Sequence, residues 1–347
     1  MTSTISDTVD QTMRASVMTG VRSLVIEERP VPSPGPHEVL VQVAAVGVCG
    51  SDVHYYRHGR IGDFVVNEPM ILGHELSGRI VSVGEFVDAA RVGQRVAVEP
   101  QHPCRRCKQC MAGRYNLCPF MEFYATPPID GAFCKYVLTD AEMAHPVPDS
   151  MSDEAAALLE PLSVAITTMR KAGIAPGSSV LIAGAGPIGV ICAQTARAFG
   201  AARIVVSDLL PSRREKVLQF GATEVIDPME FDVATLDPQV DAFIDASGAA
   251  PAVISGIKAV GPAGKVVLVG MGSGDYALPI GYIQNMEITV TGVFRYTDTW
   301  PAGIHLVTSG AVDLDGMVTG RYDLEHVGDA LDSDTDPDSL KSIVVPA

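Results

Sequence analysis

The sequence predicts an α/β protein in two parts: a β-rich domain, and a domain built on a doubly wound parallel sheet. Between residues 17 and 147, short β-like runs are interrupted by frequent Gly and Pro, and long helical periodicity is scarce. Between residues 178 and 294, continuous apolar runs alternate with helical stretches, which is typical of a buried parallel sheet. We therefore expect a flexible tail at 1–12, a β-rich domain at 13–161 and 297–347, and a parallel-sheet domain at 162–296.

The composition is that of a globular protein and argues against two classes of partner. The chain has 347 residues, 47% of them hydrophobic, which is enough apolar material for two cores. Its net charge is −16, whereas nucleic acids and anionic membranes attract basic surfaces. The first residues lack the basic start and apolar core of a signal peptide, and no apolar run is long enough to span a bilayer. We expect a cytoplasmic protein with neither nucleic-acid nor membrane partners.

The clearest strand candidates of the β-rich part are VLVQVAAVGV, SGRIVSVG and GQRVAVEP. A helix should then begin near Ser152, a suitable N-cap, with Asp153 and Glu154 in its first turn. Pro161 should bend or break this helix beside Glu160, because proline removes a helical hydrogen bond. Such a break would present the Glu160 carboxylate.

The candidate strands of the parallel sheet are SVLIAG, RIVVSD, EVID, DAFIDA, KVVLVG and ITVTGV. Helical stretches around 191–199 and 213–220 lie between several of them. Six such strands match the two mononucleotide-binding halves of a Rossmann domain.

A glycine-rich turn, GAGPIG at 184–189, follows the first of these strands and opens a helix. Gly184 would allow the tight turn, Gly186 the approach of the backbone to a pyrophosphate, and Gly189 close packing of helix and sheet. The N-terminus of the helix favours the phosphate charge. Asp208 ends the next strand, where a carboxylate binds ribose hydroxyls and repels a 2′-phosphate, so we expect NAD rather than NADP.

Other candidate cofactor contacts are Pro187, Ile188, Arg213, Val269 and Phe294. Arg213 and Arg214 weaken the preference for NAD, because an arginine can accommodate a 2′-phosphate. The role we favour for this pair is a solvated helix face.

Four of the seven cysteines, Cys104, Cys107, Cys110 and Cys118, have the spacing C-x2-C-x2-C-x7-C. Four thiolates on one short loop can close a tetrahedral zinc site with no open position, which is a structural site. The segment lacks a core of its own, so the metal would supply its folding free energy. Disulfides and an iron–sulfur cluster are the alternatives that the sequence favours less.

A second metal site is predicted from the stretch between Cys49 and Glu75. Cys49 and His74 are the expected ligands, and the third is Glu75 or its competitor Glu160, which the bent helix would bring in. A site with three protein ligands keeps one position open for a substrate oxygen, as a catalytic zinc requires.

The two sites together predict hydride transfer from a zinc-bound alcohol to a dinucleotide. Ser51 and His54 lie between the expected ligands and could carry the proton away, and Glu160 is an alternative acid–base group. An exposed histidine without a catalytic part is the alternative role of His54.

With these residues in place, the chain resembles the zinc-dependent medium-chain dehydrogenases, and more closely the sorbitol (polyol) dehydrogenases. The segments that carry the resemblance are CGSDVHYYRHGRIG, GHELSG, GRYNLCPFMEFYATPPIDGAF, EPLSV, GAGPIG and GVFRYTDTWP. The resemblance covers nearly the whole chain except the N-terminal tail and the last dozen or so residues. GRIG, ATPPIDG and FRYTDTWP are specific to the polyol branch.

The resemblance implies a GroES-like catalytic domain, a Rossmann domain, NAD, one catalytic and one structural zinc per chain, and a homotetramer. It implies catalytic zinc on Cys49, His74 and Glu75 with a water, and reversible oxidation of a polyol to a ketose. The substrate contacts it implies are Ser51, Tyr55, Phe123, Thr126, Glu160, Arg295 and Tyr296. These hydroxyl, carboxylate and guanidinium groups suit a ligand with several alcohol groups, although core packing is the alternative for Phe123 and Tyr55.

The chain also departs from the family pattern in places. The four-cysteine loop is intact, whereas animal sorbitol dehydrogenases lack parts of it. Gly320 precedes Arg321 where relatives often have His-Arg, and the segment DALDSDTDPDSLK is poor in helix formers, so we expect a shortened helix there. The alternatives to a polyol dehydrogenase are a zinc alcohol dehydrogenase for a diol, cyclitol or threonine-like substrate, and a non-catalytic NAD-binding protein.

Overall fold

The computed structural model describes residues 10–272 and 274–346, which form two compact units. The first unit comprises the described residues of Met1–Glu160 and Leu314–Ala347, and the second is Pro161–Asp313. Most of the predicted tail, residues 1–9, lies outside the described residues. Thr12, which the sequence assigns to that tail, instead begins the first strand.

In the first unit, up to residue 158, the strands and helices are β1 Thr12–Gly20, β2 Ser23–Pro30, β3 Glu38–Gly47, α1 Gly50–His58, β4 Arg60–Ile61, β5 Phe64–Val65, β6 Met70–Ile71, β7 Glu75–Val83, β8 Arg95–Val98, β9 Gln101–His102, α2 Lys108–Met111, β10 Glu122–Phe123, β11 Tyr136–Asp140, β12 Ala144–Pro146 and α3 Asp153–Ala157. The remaining elements are α4 Leu159–Ala172, β13 Ser179–Ala183, α5 Pro187–Ala198, β14 Arg203–Ser207, α6 Pro211–Leu218, β15 Glu224–Ile226, β16 Val240–Asp245, α7 Ala250–Lys258, β17 Val260–Leu268, α8 Ile280–Asn285, β18 Thr289–Gly292, α9 Trp300–Thr308, β19 Val318–Tyr322, α10 Val327–Asp332 and β20 Lys341–Val344.

A seven-stranded sheet organises the first unit. Its strand order is β12-β8-β7-β3-β20-β19, and β11 also pairs with β3. The three runs expected as strands form β3, β7 and β8. β3 pairs antiparallel with both β7 and β20, so its last residue, Gly47, lies opposite Glu75 on one side and Ile343 on the other. Segments far apart in sequence therefore meet at the end of β3.

The second unit contains the six-stranded parallel sheet that the sequence predicts. Its order is β15-β14-β13-β16-β17-β18, and every neighbouring pair is parallel. This is the doubly wound order 3-2-1-4-5-6, with the first strand next to the point where the order reverses. Buried aliphatic side chains of β13, β14, β16 and β17 pack with α7 in its apolar core. The prediction of a Rossmann-type sheet is confirmed.

The predicted domain boundary at 296/297 differs from the observed division at Asp313/Leu314. The reason is that α9 and the residues after it belong to the second unit. The Gln194 side chain on α5 donates to the Asp313 carbonyl oxygen (3.0 Å) and accepts from the Asp313 amide (2.7 Å). Trp300 is fully buried and contacts the Tyr296 ring edge-on, at 6.3 Å between ring centroids.

The helix expected from Ser152 is capped as predicted but breaks earlier than Pro161. The Ser152 hydroxyl accepts a hydrogen bond from the Ala155 amide, and α3 ends before Leu158. A new helix, α4, starts at Leu159 and has Glu160 and Pro161 in its first turn, where proline removes no helical hydrogen bond. The C-terminal helix is short, as expected: α10 has six residues and is followed by a single 3₁₀ turn.

Within the described residues, no helix combines the length and the apolar composition needed to cross a membrane.

Candidate active site and metal centres

Cys49 lies between β3 and a helix that the sequence pattern did not predict, α1. It is the N-cap of α1, with extended backbone angles, and its amide donates to Asp52 Oδ2 at 3.1 Å. The Cys49 sulfur in turn accepts from the backbone amide of Asp52, which completes a reciprocal capping arrangement. The signal that could have identified α1 is this Cys-x-x-Asp spacing, since nine residues are too few for clear periodicity.

His74 and Glu75 follow a turn that only glycine can make. Gly73 has φ +91°, and a Cβ there would lie 2.9 Å from the Phe133 ring. Glu75 then starts β7, opposite Gly47 of β3. A Cβ on Gly47 would lie 2.1 Å from Glu75 Oε2, so the missing side chain at Gly47 leaves the space that the carboxylate occupies.

These elements bring the three expected ligands together. One donor atom each from Cys49, His74 and Glu75 lie within 4.8 Å of one another, and His74 and Glu75 are buried. Only 1% of the Glu75 side chain is exposed, so its carboxylate lies inside the protein with the other two donors. One sulfur, one imidazole nitrogen and one carboxylate oxygen at this spacing fit a zinc ion that keeps an open position.

Asp52 lies behind His74 and was missed by the sequence analysis. It is fully buried, its Oδ1 accepts from the Gly73 amide (2.9 Å), and the same oxygen is 3.5 Å from His74 Nδ1. Burial lowers the pKa of His74, but Asp52 and Cys49 outweigh it, so this pKa is well above its usual value. A carboxylate at Nδ1 leaves Nε2 for a metal and makes the ring a better ligand.

Lys341 was also missed, because no local pattern marks it. It is the first residue of β20, only 3% of its side chain is exposed, and its Nζ donates to Glu75 Oε1 and to the Val48 carbonyl oxygen, both at 2.7 Å. Burial lowers the pKa of Lys341, but Glu75 and then Cys49 outweigh this and raise it. A buried ammonium therefore lies against one of the predicted metal ligands.

Glu160, the competitor for the third ligand position, lies in the same region but outside the ligand group. It is buried, at 5% exposure, in the first turn of α4, and its charge adds to the raised pKa of Lys341. Among the described residues, the group of converging donors contains Cys49, His74 and Glu75 without Glu160. The geometry favours Glu75 as the third ligand, with Glu160 nearby.

The expected proton-transfer residues lie on α1. Ser51 is half-buried in its first turn, and His54 is exposed one turn later. The ring of His58 lies 5.7 Å from that of His54, between centroids. Tyr55, an expected substrate contact, is 4% exposed and belongs to the apolar core of the first unit.

Phe123 and Thr126 lie on the segment after the four-cysteine loop. The Phe123 ring is buried and tilted against the His74 ring, at 5.5 Å between centroids. Thr126 is half-buried, and its amide donates to the Phe123 carbonyl oxygen at 3.0 Å. Phe123 therefore borders the ligand group, as its predicted role requires.

The four cysteines of the loop converge as their spacing predicts. The sulfur atoms of Cys104, Cys107, Cys110 and Cys118 lie within 4.8 Å of one another, and no disulfide links them. Backbone amides of Cys104, Cys110 and Phe120 donate to these sulfurs at 3.4–3.5 Å. The backbone amides of Arg106 and Cys107 also lower the pKa of Cys104 to about 6. Four thiols so close together fit a closed zinc site.

The glycine turn after β13 has the geometry its motif predicts. Gly184 has φ +97°, and a Cβ on Gly189 would lie 1.8 Å from the Gly184 carbonyl oxygen. Gly186 caps α5, whose first residue is Pro187, followed by Ile188, and both are half-buried. This turn therefore exposes backbone amides at the start of a helix, which suits a pyrophosphate.

Asp208 follows β14, and its carboxylate is held by the backbone on both sides. Oδ2 accepts from the Ala185 amide (2.7 Å) and Oδ1 from the Leu210 amide (2.8 Å). A carboxylate oxygen has a second lone pair, so each can still accept a ribose hydroxyl.

The solvated face that we favoured for Arg213 and Arg214 was wrong. Only 15% of the Arg214 side chain is exposed, and it forms an ion pair with Asp227 at 2.8 Å. Arg213 is half-buried: its Nη1 would lie 3.9 Å from a Cβ on Gly186, and its Nε is buried without a hydrogen-bond partner among the described residues. Arg213 therefore lies beside the glycine turn, as a cofactor contact would.

The remaining predicted contacts lie at the ends of β17 and β18 in the second unit. Val269 is half-buried, and its amide donates to the Asp245 carbonyl oxygen. Phe294 is 49% exposed, and the Arg295 guanidinium lies 4.7 Å from the centre of its ring. Tyr296 is fully buried against Trp300.

Comparison with known proteins identifies the family. Residues 35–149 match the family model of the alcohol dehydrogenase GroES-like domain, and residues 187–309 match that of the zinc-binding dehydrogenases. The chain is 44% identical to the sorbitol dehydrogenase of Bacillus subtilis, over 94% of this chain and 95% of that protein. The chain belongs to the zinc-binding medium-chain dehydrogenases, in their sorbitol dehydrogenase branch.

Other relatives of this dehydrogenase support the same family assignment. It is 41% identical to a probable D-xylulose reductase A of Aspergillus clavatus, over 90% of this chain and 91% of that one. The crystal structure of 2R,3R-butanediol dehydrogenase from Bacillus subtilis superposes with a TM-score of 0.89 at 30% identity, covering 96% of this chain and 100% of that one. The predicted combination of GroES-like and Rossmann domains is confirmed.

Proposed function

We propose that this dehydrogenase catalyses the reversible, NAD-linked oxidation of a polyol secondary alcohol to a ketose, with catalytic zinc on Cys49, His74 and Glu75. The observation that carries the proposal is the convergence of a thiol, an imidazole and a carboxylate within 4.8 Å, the last two of them buried. The similarity to a sorbitol dehydrogenase and a probable D-xylulose reductase supports a polyol rather than a simple alcohol.

Each residue of the metal centre has a separate task. Zinc bound there would act as a Lewis acid that lowers the pKa of the substrate alcohol. Asp52 fixes the tautomer of His74 through Nδ1, at 3.5 Å. Phe123 covers the His74 ring and keeps water from that side of the site, at 5.5 Å between ring centroids.

Ser51 and His54 provide the path for the substrate proton. They are three residues apart on α1, so they lie on the same face of the helix. Ser51 would accept the alcohol proton, and His54, which is exposed, would pass it to solvent. Glu160 is the alternative acid–base group, because its carboxylate is buried close to Lys341.

The second unit would bind the hydride acceptor. Oxidation of one secondary alcohol to a ketone gives up a hydride and a proton, and NAD+ takes the hydride as it becomes NADH. The turn at Gly184–Gly189 would hold the pyrophosphate with Arg213 beside it, and Asp208 the ribose hydroxyls. We assign one NAD, one catalytic zinc and one structural zinc to each chain, the last on the four cysteines.

Substrate selectivity is proposed to come from side chains that can bond several hydroxyl groups. Besides Ser51 and Glu160, the proposed substrate contacts are Tyr55, Phe123, Thr126, Arg295 and Tyr296. Phe123 lies against the His74 ring, which supports its assignment, whereas Tyr55 belongs to the apolar core of the first unit, so core packing stays the alternative for it.

The test is a set of initial rates of NADH formation with xylitol, sorbitol, ribitol, galactitol, threonine and 2,3-butanediol. Each rate is measured with NAD and with NADP, before and after zinc removal. We expect zinc-dependent, NAD-linked turnover of one or two polyols. Flat rates on every polyol, with turnover of threonine or a diol, would reject the polyol and keep the dehydrogenase mechanism.

A diol is the second candidate substrate, and the similarity in structure to 2R,3R-butanediol dehydrogenase favours it. The same panel decides between them, because 2,3-butanediol lacks the additional hydroxyls that a polyol offers to the pocket.

We further propose a cytoplasmic homotetramer. Seven free cysteines, four of them in a cluster that needs reduced thiols, support a reducing compartment. Met111, Leu117 and Phe120 are exposed large apolar side chains on the four-cysteine loop, which supports contact with another subunit. Light scattering on a size-exclusion column tests the assembly, and a monomer mass would reject it.

A further inference from the structure

Lys341 is a charged residue at the metal centre to which the proposed mechanism gives no task. Its Nζ donates to Glu75 Oε1 and Val48 O, and it forms an ion pair with Glu75 Oε2 at 2.5 Å. Only 3% of the Lys341 side chain and 1% of the Glu75 side chain are exposed. Water therefore screens neither charge.

The fold holds this ammonium in place from two strands. Lys341 begins β20, which pairs with β3, and the Val48 amide donates to the Ser342 carbonyl oxygen at 2.9 Å. Glu75 lies on the other side of β3, opposite Gly47. The contact is fixed by the sheet and does not depend on flexible loops.

The same region concentrates negative charge. Glu75 pairs with Lys341, Glu160 is buried in the same region, and Asp52 lies behind His74. Buried anions without a counter-charge are costly, so a cation is needed whether or not a metal is bound. Lys341 provides that cation. It pairs with the Glu75 carboxylate, which is also a predicted ligand of the zinc ion.

We propose that Lys341 is a positioning residue that competes with zinc for Glu75. It neutralises the anionic cluster when the metal is absent, and it weakens the hold of Glu75 on the metal when the metal is present. This inference rests on the proposed zinc ligands and adds a regulator of their affinity.

The geometry gives the competition a definite form. The ammonium lies 2.7 Å from Oε1 and 2.5 Å from Oε2, so a metal bound by Glu75 must take an oxygen that the ammonium already contacts. A carboxylate shared with an ammonium donates less charge to a metal, and the ammonium also repels a dication. Glu75 is thereby a weaker ligand than Cys49 or His74, and one that can be displaced.

The test is equilibrium competition for zinc between a chelator and the full-length protein. The variants are Lys341→Met and Lys341→Gln, which remove the charge, and Lys341→Arg, which keeps it. Lys135→Met is the matched control, because Lys135 is a partly exposed lysine of the same unit that pairs with Asp10. The four-cysteine zinc is the internal reference in every sample.

We expect both neutral variants to bind the catalytic zinc at least about tenfold more tightly, the low end of what outer partners of a metal site contribute. Lys341→Arg should stay closer to wild type, and Lys135→Met should be unchanged. Replacing zinc by cobalt gives a second readout, since firmer binding of Glu75 should change the visible absorption bands in the neutral variants only.

Unchanged or weaker zinc binding in the neutral variants overturns the proposal. Failure of both to fold even with excess zinc also overturns it, because zinc should replace the missing ammonium as counter-charge. A wild-type protein that carries only the four-cysteine zinc would instead reject the proposed catalytic site itself. The zinc content of the wild type therefore separates the two failures.

Discussion

The two predicted metal centres of this dehydrogenase are built in opposite ways. The four-cysteine centre takes all its donors from 104–118, and no residue between 99 and 123 belongs to the apolar core cluster of its unit. The other centre takes its donors from Cys49, His74 and Glu75, at the ends of β3 and β6 and the start of β7, with Lys341 of β20 against them.

The contrast reflects what each centre needs from its surroundings. The thiols of the loop accept hydrogen bonds from nearby backbone amides and lie outside the apolar core cluster, so a metal bound there would complete the local structure. At the other centre the sheet already fixes the donors, and two buried charged side chains hold them: Asp52 lies against His74, and Lys341 lies against Glu75. A centre organised by the fold can leave one coordination position for substrate, whereas a centre organised by its metal cannot.

The most severe loss of activity should come from Cys49→Ala. This substitution should abolish catalysis without unfolding the protein. It should lower kcat/KM by about 1,000-fold or more, since the metal supplies several kcal/mol of transition-state stabilisation. NADH binding and the melting temperature should hardly change, because the sheet organises this centre. Steady-state kinetics with fluorescence titration of NADH measure both, and Cys192→Ala, a cysteine outside both metal groups, is the control. Persisting activity would mean that the zinc assignment is wrong.

The opposite pattern is expected at the loop. Cys107→Ser should remove one zinc per chain and cost about 2 kcal/mol of stability, or roughly 5 °C in Tm, because the loop has no core to replace the metal. Activity per folded chain should fall much less than in Cys49→Ala. Zinc analysis, calorimetry and proteolysis of the 104–118 segment test this. An unchanged Tm would show that the loop does not need its metal.

A more moderate change is expected from His54→Gln. It should lower kcat by about 100-fold, the low end for a positioned acid–base group, and added imidazole should restore part of the rate. His58→Gln is the matched control, since His58 is the neighbouring exposed histidine of α1. Equal effects of the two substitutions would remove His54 from the proton path.

The substitution with the smallest expected effect tests how closely the sheet fixes the position of the Glu75 carboxylate. In Gly47→Ala, the new Cβ would lie 2.1 Å from Glu75 Oε2, so the carboxylate must move. We expect about tenfold weaker binding of the catalytic zinc, comparable to disturbing an outer partner of a metal site. Gly20→Ala, where nothing lies within 4 Å of the new Cβ, is the control. Unchanged zinc affinity would mean that Glu75 does not bind the catalytic zinc.

The features that could be predicted from the sequence follow the same division. The four-cysteine centre and the glycine turn are compact motifs, and the spacing of their residues is enough to predict their geometry. The strands of the parallel sheet are continuous apolar runs in the sequence. The structure places Cys104–Cys118 and Gly184–Gly189 in the arrangements that their motifs require. Local patterns are therefore sufficient to predict the six-stranded Rossmann-type sheet.

Other features could not be read from local patterns. Lys341 meets Glu75 only because β3 lies between β7 and β20, and nothing near residue 341 indicates that neighbour. The sequence places the helix break at Pro161 rather than Leu158, although proline is tolerated in a first helical turn. It also places Arg214 in solvent, because Asp227, its partner, lies beyond the next strand.

The position of β20 in the sheet also bears on when the enzyme matures during its synthesis. Pro161–Asp313 is a continuous segment, so it can fold while the ribosome is still translating the last strands. The four-cysteine loop can likewise take up metal soon after residue 118 emerges. The catalytic centre cannot reach its final state until residue 341 has been added and β20 has entered beside β3. The proposed competition between Lys341 and zinc for Glu75 therefore begins only when synthesis is almost complete.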